Sequence, residues 1–264
     1  MRELLTRMHE WMTRYMKSFY SDDAEVQRGI LIKETHTGYV TANCVELAKF
    51  LRLPTHDVEL AEIIGLFHDV GRFRQYSLYK TFNDANSEDH ADLALKVIDE
   101  LEFFRELTAT DYALVKFAIA NHNKKTVAPT DDERKILFAK IIRDADKLDI
   151  YRVLEPFLAQ SAADKMPNFI KSRGNLVADI SPDFVENFVT GEQADYTKIR
   201  TNGDRKIVRL MWIYDINFSW TMRKIVQRGY IEKIVGNLPM DERIAEGVRR
   251  LRAHVEEKLA EVSS

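Results

Sequence analysis

Cysteine, proline and glycine are all scarce in this sequence. A single cysteine, Cys44, among 264 residues cannot form an internal disulfide, which excludes a small scaffold held together by disulfides. Cys44 lies within a helical pattern, where we expect it to act as a small buried apolar side chain. The chain has only 10 glycines and 6 prolines, which favours long helices joined by short connections.

The sequence also lacks a surplus of positive charge and any long apolar run. The formal net charge is −3, which argues against a protein that binds duplex nucleic acid through a basic surface. No stretch approaches the roughly 18 uncharged apolar residues of a membrane span. Residues 1–7 contain no apolar core of a signal peptide. We therefore expect a cytoplasmic protein without a membrane or duplex nucleic-acid partner.

Apolar residues recur at helical spacing along most of the chain. The first example is the set Leu4, Leu5, Met8, Met12 and Met16, which predicts an amphipathic helix. No segment shows convincing strand alternation, so the predicted fold class is all-α: a helical bundle with additional C-terminal helices. We expect residues 1–154 to form the core with its N-terminal helix. Residues 155–264 are predicted to be a helical extension that packs on this core and is not independent.

Some local predictions concern breaks in the helices. A helical pattern over residues 24–51 has Gly38 as a candidate break, and Gly71 suits a left-handed residue that ends a helix. Residues 72–88 are predicted to be irregular, and residues 166–173 and 193–205 to be loops. Residues 207–235 are predicted to form one long apolar helix with a break near Gly229.

Adjacent His68 and Asp69 end an apolar helical run. Burying these two polar side chains at the end of a helix costs free energy unless a partner group or ion binds them. A metal ion is the commonest partner of histidine plus carboxylate. The alternative is a histidine that is hydrogen-bonded at a helix end and an aspartate in the following turn.

Three further histidines and one aspartate lie on inward-facing stripes or at helix ends. His36, His90 and His122 each share a helix face with apolar residues, and Asp146 is favoured over Asp144 as the inward carboxylate of its helix. Four buried histidines and two buried aspartates from several helices cannot easily all find hydrogen-bond partners as separate pairs. Since bundles do build metal sites from inward side chains, we predict that this set binds metal.

The order His36, His68–Asp69, His90, His122, Asp146 resembles the HD-domain superfamily of metal-dependent phosphohydrolases. The matching region is roughly residues 30–150, and the phrases at residues 65–71 (GLFHDVG) and 143–149 (RDADKLD) also look like the family. Nothing recognisable covers residues 155–264. The Gly-Tyr-Pro signature of the cyclic-dinucleotide subgroup is not visible.

The resemblance implies a metal centre with two ions. His36, His68, Asp69 and Asp146 would hold one ion, and His90 and His122 the second, with Asp69 bridging. Imidazoles suit divalent transition metals such as Fe, Mn, Co, Ni or Zn better than Mg. If His90 and His122 bind only substrate, a mononuclear hydrolase remains open.

Basic residues beside the motif are candidates for binding substrate phosphate. We predict Asp69, Arg72 and Lys147 as catalytic residues, where Arg72 and Lys147 either contact substrate or support the metal ligands. Lys33 lies one turn before His36 and is a further candidate. Lys124, which follows His122, is expected to be a solvated charge.

The leading functional prediction is a metal-dependent phosphohydrolase. It would act on a nucleotide or another small phosphorylated metabolite, a phosphomonoester or phosphodiester, through a metal-activated water. The alternative is a di-iron oxygenase of the myo-inositol-oxygenase type on the same ligand set, and a non-catalytic sensing module is a third hypothesis. Residues 72–86, with Tyr76 and Tyr79, and the helix at 207–235 are expected to close over the site. The oligomeric state is open, with a homodimer as one candidate.

Overall fold

The computed structural model describes residues 1–157, 179–192 and 194–261. These ranges contain helices, turns and bends and no strand, which confirms the all-α prediction. The chain divides into two compact units, Met1–Ile150 and Tyr151–Ser264. Within the described ranges, no helix combines the length and the apolar character that crossing a membrane would require.

The first unit is built from six complete helices and most of a seventh. Several start at an aspartate or threonine that accepts backbone N–H groups, such as Asp23, Asp89 and Thr108. The helices are α1 Arg2–Lys17, α2 Ala24–Phe50, α3 Thr55–Phe67, α4 Val70–Tyr79, α5 His90–Asp99, α6 Ala109–Asn121 and α7 Glu133–Leu154. Short 3-10 turns lie at Asp84–Asn86 and Glu102–Glu106.

The apolar stripes found in the sequence form the core of this unit. All five stripe residues of α1 are buried, and Trp11 from the same helix stacks on Phe67 of α3. Cys44 is fully buried, as predicted, and faces Gly65. A Cβ at position 65 would lie 2.8 Å from the Cα of Thr41, so the absence of a side chain lets α3 pack closely on α2.

The prediction that residues 72–88 are irregular is wrong for residues 72–79 and agrees with the structure for residues 80–88, which contain only bends, loop and a short 3-10 turn. Residues Val70–Tyr79 form α4, and Phe73 and Tyr76, one turn apart, are buried on its inner face. Burial of these two rings stabilises the helix, while the polar side chains of Arg72, Arg74 and Gln75 around them hid the helical period in the sequence. Helix α4 ends at Lys80, whose φ is 55°. The preceding helix α3 ends at Phe67, without the left-handed residue predicted at Gly71.

Gly71 has a different role from the predicted helix end. It lies in the first turn of α4, where an added Cβ would stand 2.5 Å from the backbone nitrogen of Ala94 and closer still to the carbonyl oxygen of His90. Glycine is therefore required for the close approach of α4 to the start of α5. This contact fixes the position of Asp69 relative to His90.

The predicted break near Gly38 does not occur, because α2 is continuous from Ala24 to Phe50. A glycine in a helix interior costs only about 1 kcal/mol relative to alanine. Helix α2 packs along α3, and the side chains buried there, such as Val40, Cys44 and Leu47, outweigh that cost.

The second unit contains five further α-helices in its described part. They are α8 Pro182–Thr190, α9 Asn202–Met211, α10 Ser219–Gln227, α11 Tyr230–Val235 and α12 Glu242–Ala260. The predicted loop at 193–205 is wrong at its end, because Thr201 and Asp204 form a capping box that starts α9. The predicted loop at 166–173 lies outside the described residues.

The long helix predicted over residues 207–235 is divided into pieces. A 3-10 turn at Trp212–Asp215 follows α9, and Gly229, with φ of 67°, separates α10 from α11 as predicted. Asp204 caps strongly here: its buried carboxylate accepts hydrogen bonds from the backbone nitrogens of Ser181, Arg200 and Thr201. In this unit, capping hydrogen bonds and the backbone conformation of Gly229 set the helix boundaries more than apolar periodicity does.

Candidate metal centre

The structure brings the six predicted ligand residues together inside the first unit. His36 comes from the middle of α2, His68 ends α3, Asp69 joins α3 to α4, and His90 begins α5. His122 follows the last residue of α6, and Asp146 lies within α7. The four histidines and Asp69 are at most 5% exposed, whereas the Asp146 side chain is 16% exposed. Their role as ligands stays a prediction.

Asp69 lies at the centre of the cluster and faces both halves of it. Its Oδ2 lies 3.6 Å from Nε2 of His36 and 3.7 Å from Nε2 of His68. Its Oδ1 lies 3.5 Å from Nε2 of His90 and 3.7 Å from Nε2 of His122. Asp69 also precedes α4, yet its side chain accepts no backbone N–H of that helix. The carboxylate is therefore available to both histidine pairs.

Within each half the candidate ligand atoms converge. Nε2 of His36 lies 3.4 Å from Nε2 of His68, and Nε2 of His90 lies 3.0 Å from Nε2 of His122. Oδ1 of Asp146 stands 3.0 Å from Nε2 of His36 and 3.9 Å from that of His68, on the first half only. Asp69 thus belongs to two groups of three, one with each histidine pair, whose ligand atoms lie within 4.8 Å of one another.

Helix ends orient two of the histidines. Nδ1 of His68 lies 2.8 Å from the carbonyl oxygen of Gly65, and Nδ1 of His122 lies 2.7 Å from that of Ile119. Each carbonyl belongs to the last turn of the helix that the histidine ends, where carbonyl groups lack a partner within the helix. Because a carbonyl only accepts, each Nδ1 holds the proton and each Nε2 presents a lone pair to the centre.

Carboxylates orient the other two histidines in the same way. Nδ1 of His36 lies 2.7 Å from Oδ2 of Asp149, and Nδ1 of His90 lies 2.6 Å from Oδ2 of Asp84. Metal-binding histidines usually donate their second ring N–H to an acceptor of this kind. All four rings therefore turn Nε2 inward.

The facing nitrogens fit a bound cation. Nε2 of His90 and Nε2 of His122 are 3.0 Å apart, while the Nδ1 of each ring already serves an acceptor. A hydrogen bond between the two Nε2 atoms would require one ring to carry two protons, whereas a divalent ion accepts both lone pairs. The donor set of imidazole and carboxylate is the one that transition metals prefer.

The electrostatics of the cluster favour ionised carboxylates and neutral rings. Burial lowers the pKa of His68 to about 3, and burial together with the charge of Arg72 lowers the pKa of His90 to about 4. Burial alone would raise the pKa of Asp69, but the Lys33 ammonium holds it well below its ordinary value. Neutral imidazole and ionised carboxylate are the forms that bind metal.

His36 behaves differently because two carboxylates contact its ring. Burial and Lys33 act to lower its pKa, but the hydrogen bonds to Asp146 and Asp149 outweigh them and raise it. Burial likewise acts to raise the pKa of Asp146, and the contact with His36 reverses this and lowers it. His36 and Asp146 thus attract a shared positive charge, either a proton or a metal ion.

The three predicted basic residues occupy different positions. Nζ of Lys33 donates to Oδ2 of Asp69 at 2.7 Å, and its side chain is 18% exposed. Arg72 donates Nη1 to the carbonyl oxygen of Phe82 and to Asp84, while its buried Nε lies 3.5 Å from Oδ1 of Asp69. Lys147 is half-buried on α7, directly after Asp146.

Sequence reasoning missed Asp149 and Asp84, which orient His36 and His90. Asp149 follows Asp146 by three residues on α7, so the helical spacing could have indicated it. Asp84 lies in a 3-10 turn within the segment predicted to be irregular, where no periodicity marks an inward side chain. The sequence also does not reveal that Arg143 fixes the segment after His122, through bonds to the carbonyl oxygens of Asn121 and Lys125.

Replacing Asp149 with asparagine is expected to weaken metal affinity about 10- to 100-fold, because a neutral amide replaces the charged carboxylate that orients the His36 ring. Asp84→Asn should have a similar effect through His90. Chelator competition with Mn²⁺ or Co²⁺ measures both. Asp111→Asn is the matched control, since Asp111 is buried and pairs with His56 at the opposite end of α6 from His122. Equal affinities in all three variants would contradict the proposed orienting role.

Comparison with protein families agrees with this geometry. Residues 34–151 match the sequence model of the family described as HD domain, and this range includes all six residues of the cluster. The chain carries an HD domain. No curated protein and no solved structure matches the chain.

The HD domain belongs to a superfamily of metal-dependent phosphohydrolases. In this chain its buried histidine and aspartate groups are compatible with binding divalent metal. The match ends at residue 151, so all of the second unit except Tyr151 lies outside it and adds helices of its own.

Proposed function

We propose that this protein is a metal-dependent phosphohydrolase that acts on a nucleotide or another small phosphorylated metabolite. The observation that carries the proposal is the position of Asp69, whose two oxygens face two separate histidine pairs. A shared carboxylate between two groups of imidazoles is the arrangement of a two-metal hydrolytic centre. The match of residues 34–151 to the HD domain supports the same chemistry.

His36, His68 and Asp146 would hold one divalent ion and His90 and His122 the other, with Asp69 shared between them. When bound, two such ions polarise a phosphoryl oxygen and lower the pKa of an attacking water. The chain itself supplies the orientation: the acceptors on each Nδ1 keep the four rings turned inward. Burial of the histidines excludes bulk water and strengthens these electrostatic contacts.

Basic side chains at the centre would recognise the phosphate. Lys33 keeps Asp69 ionised and is partly exposed, so we assign its ammonium to a phosphoryl oxygen of the substrate. Arg72 is engaged by Phe82 and Asp84, which favours a role in positioning Asp69 and Asp84 over direct contact with substrate. Lys147 remains a proposed phosphate ligand because of its place beside Asp146.

The test is a screen of the purified full chain, loaded in turn with Mn²⁺, Co²⁺, Ni²⁺, Zn²⁺ or Fe²⁺. Phosphate release is measured from nucleotides, sugar phosphates and simple phosphodiesters. We expect turnover that depends on added metal and is lost on chelation. Lys33→Met should raise KM for the phosphorylated substrate while leaving metal content unchanged.

The same samples test the di-iron alternative. Iron-loaded protein that consumes O₂ with a polyol substrate and releases no phosphate from any ester would overturn the hydrolase proposal. Metal-loaded protein that binds a nucleotide without turnover would instead indicate a sensing module.

We expect two divalent ions per chain at saturation. Five nitrogen and oxygen ligand side chains besides the shared Asp69 exceed what one site with open positions for water and substrate can use. His36→Ala and His90→Ala should each retain one ion, because they affect different halves of the cluster. Inductively coupled plasma mass spectrometry after gel filtration measures the stoichiometry. A single ion in the native protein, unchanged in His90→Ala, would reduce the centre to a mononuclear one.

A further inference from the structure

A concave site lies in the first unit, apart from the metal cluster. It is a groove of about 610 Å³. Its walls come from α1, α2 and α3, and none of the six metal-centre residues lines it. Its volume is in the range of small-molecule sites in proteins.

Carboxylates line the rim of this groove. Glu34, Gly38, Ala42 and Glu46 follow one another at four-residue spacing on α2, so one stripe carries a carboxylate at each end. The two glutamates are twelve positions apart, which corresponds to about 18 Å along the helix axis. Glu62 of α3 adds a third carboxylate, and no lysine or arginine is among the described residues that line the groove. The rim therefore attracts cations and repels anions.

Glu34 and Glu62 retain capacity to accept hydrogen bonds. Glu34 accepts one hydrogen bond, from the hydroxyl of Tyr20, and Glu62 contacts Nε2 of His9 at 2.7 Å. A carboxylate has about four acceptor positions, so further donors can be accommodated. Glu34 and Glu62 are half-buried, so they line the groove and do not project fully into solvent.

The floor combines apolar side chains with an unsatisfied hydroxyl. Met12, Met16 and Leu66 are buried and supply apolar surface. Thr37 also lines the groove and is 2% exposed, yet its hydroxyl oxygen has no hydrogen-bond partner in the described part of the chain. An unpaired buried hydroxyl costs free energy, which a donor from a bound ligand would recover.

Gly38 keeps the middle of the groove open. It lies in the interior of α2, and no atom stands within 4 Å of the position that a Cβ would occupy. Neither a left-handed backbone nor close packing requires glycine here, although alanine would favour the helix by about 1 kcal/mol. The absence of a side chain at Gly38 leaves space in the groove wall between the two glutamates.

We propose that this groove binds a linear aliphatic polyamine, a chain of methylenes that carries several ammonium groups. The carboxylates at the two ends of the α2 stripe match terminal ammonium groups, and the methionine and leucine floor matches the methylenes between them. An ammonium group has three donors and no acceptor, which suits the Thr37 hydroxyl and the glutamates. The acidic rim, which has no lysine or arginine among its described lining residues, favours this ligand over any phosphate ester.

Isothermal titration of the full chain with spermine, at low ionic strength, tests the proposal. We expect one saturable site per chain. Gly38→Leu should weaken binding at least about tenfold, because leucine fills the space that the methylenes need. Glu34→Gln and Glu46→Gln should each weaken it about threefold, as expected for partly exposed charge pairs. Gly38→Ala should bind nearly as the native chain does.

Glu10→Gln is the matched control, because it removes the same charge from an exposed position of α1 that does not line the groove. An equal loss of affinity in Glu10→Gln and Glu34→Gln would show unspecific attraction and overturn the proposal. Unchanged binding in a folded Gly38→Leu variant would also overturn it. So would a dimer that Gly38→Leu dissociates without any spermine binding, since the groove would then be an interface between copies.

Discussion

Replacing Asp69 with alanine is expected to remove both metal ions and to lower kcat by about 10³-fold or more. No other side chain of the cluster faces both histidine pairs, since Asp146 contacts only His36 and His68. Without this carboxylate, the half formed by His90 and His122 loses its shared carboxylate ligand, and the half formed by His36 and His68 keeps Asp146 alone to balance a divalent ion. The Lys33 ammonium would also lose its partner and add repulsion to the centre.

Metal analysis, circular dichroism and the phosphatase screen measure this effect together. Asp111→Ala is the matched control, because it also removes a buried carboxylate of the first unit but lies at the far end of α6. We expect Asp111→Ala to lower thermal stability, since it leaves Arg134 and His56 without their shared partner, and to keep both ions. Full metal occupancy in Asp69→Ala would remove Asp69 from the ligand set.

Replacing Gly71 with alanine is expected to destabilise the first unit by about 3 kcal/mol, the upper range for an overpacked site. The new Cβ would meet the backbone of His90 and Ala94, which cannot move without moving α5 as a whole. Displacement of α4 from α5 would also separate Asp69 from His90. Metal affinity at the half formed by His90 and His122 should therefore fall more than at the other half.

Thermal unfolding and metal titration test this prediction, with a Tm decrease of roughly 10 °C expected from the free-energy loss. Gly38→Ala is the matched control, because it makes the same substitution in a helix where the Cβ meets no neighbour. That variant should be as stable as the native protein or more so. A Gly71→Ala variant with native Tm and two bound ions would show that α4 and α5 tolerate a wider spacing.

Much of the metal centre could be predicted because it follows helical periodicity. His36 and His90 share helix faces with apolar residues, and both are buried in the structure. Asp146 was favoured over Asp144 for the same reason, and its carboxylate contacts His36. Asp144 is nevertheless buried as well, since a long central helix such as α7 is covered on more than one side.

Predictions failed where distant residues set the local structure. The helix after Asp69 forms because Phe73 and Tyr76 are buried by other helices, and Phe73 lies against Tyr15 and Phe19 of the N-terminal region. Tyr76 was expected to face the substrate. Its ring instead stacks on Phe82 and is part of the packing. The expected closure of residues 72–86 and 207–235 over the site stays a prediction.

The amino-acid sequence by itself determined the helical class, the apolar stripes and the identity of the six side chains that could bind metal. These properties follow from residue type and a period of 3.6, which are local. Only the tertiary structure decided that Asp69 faces both histidine pairs and that Asp149 and Asp84 orient His36 and His90. Those contacts join residues up to 113 positions apart, and their geometry depends on how closely the helices pack. The helical period of a sequence does not determine the distance between packed helices.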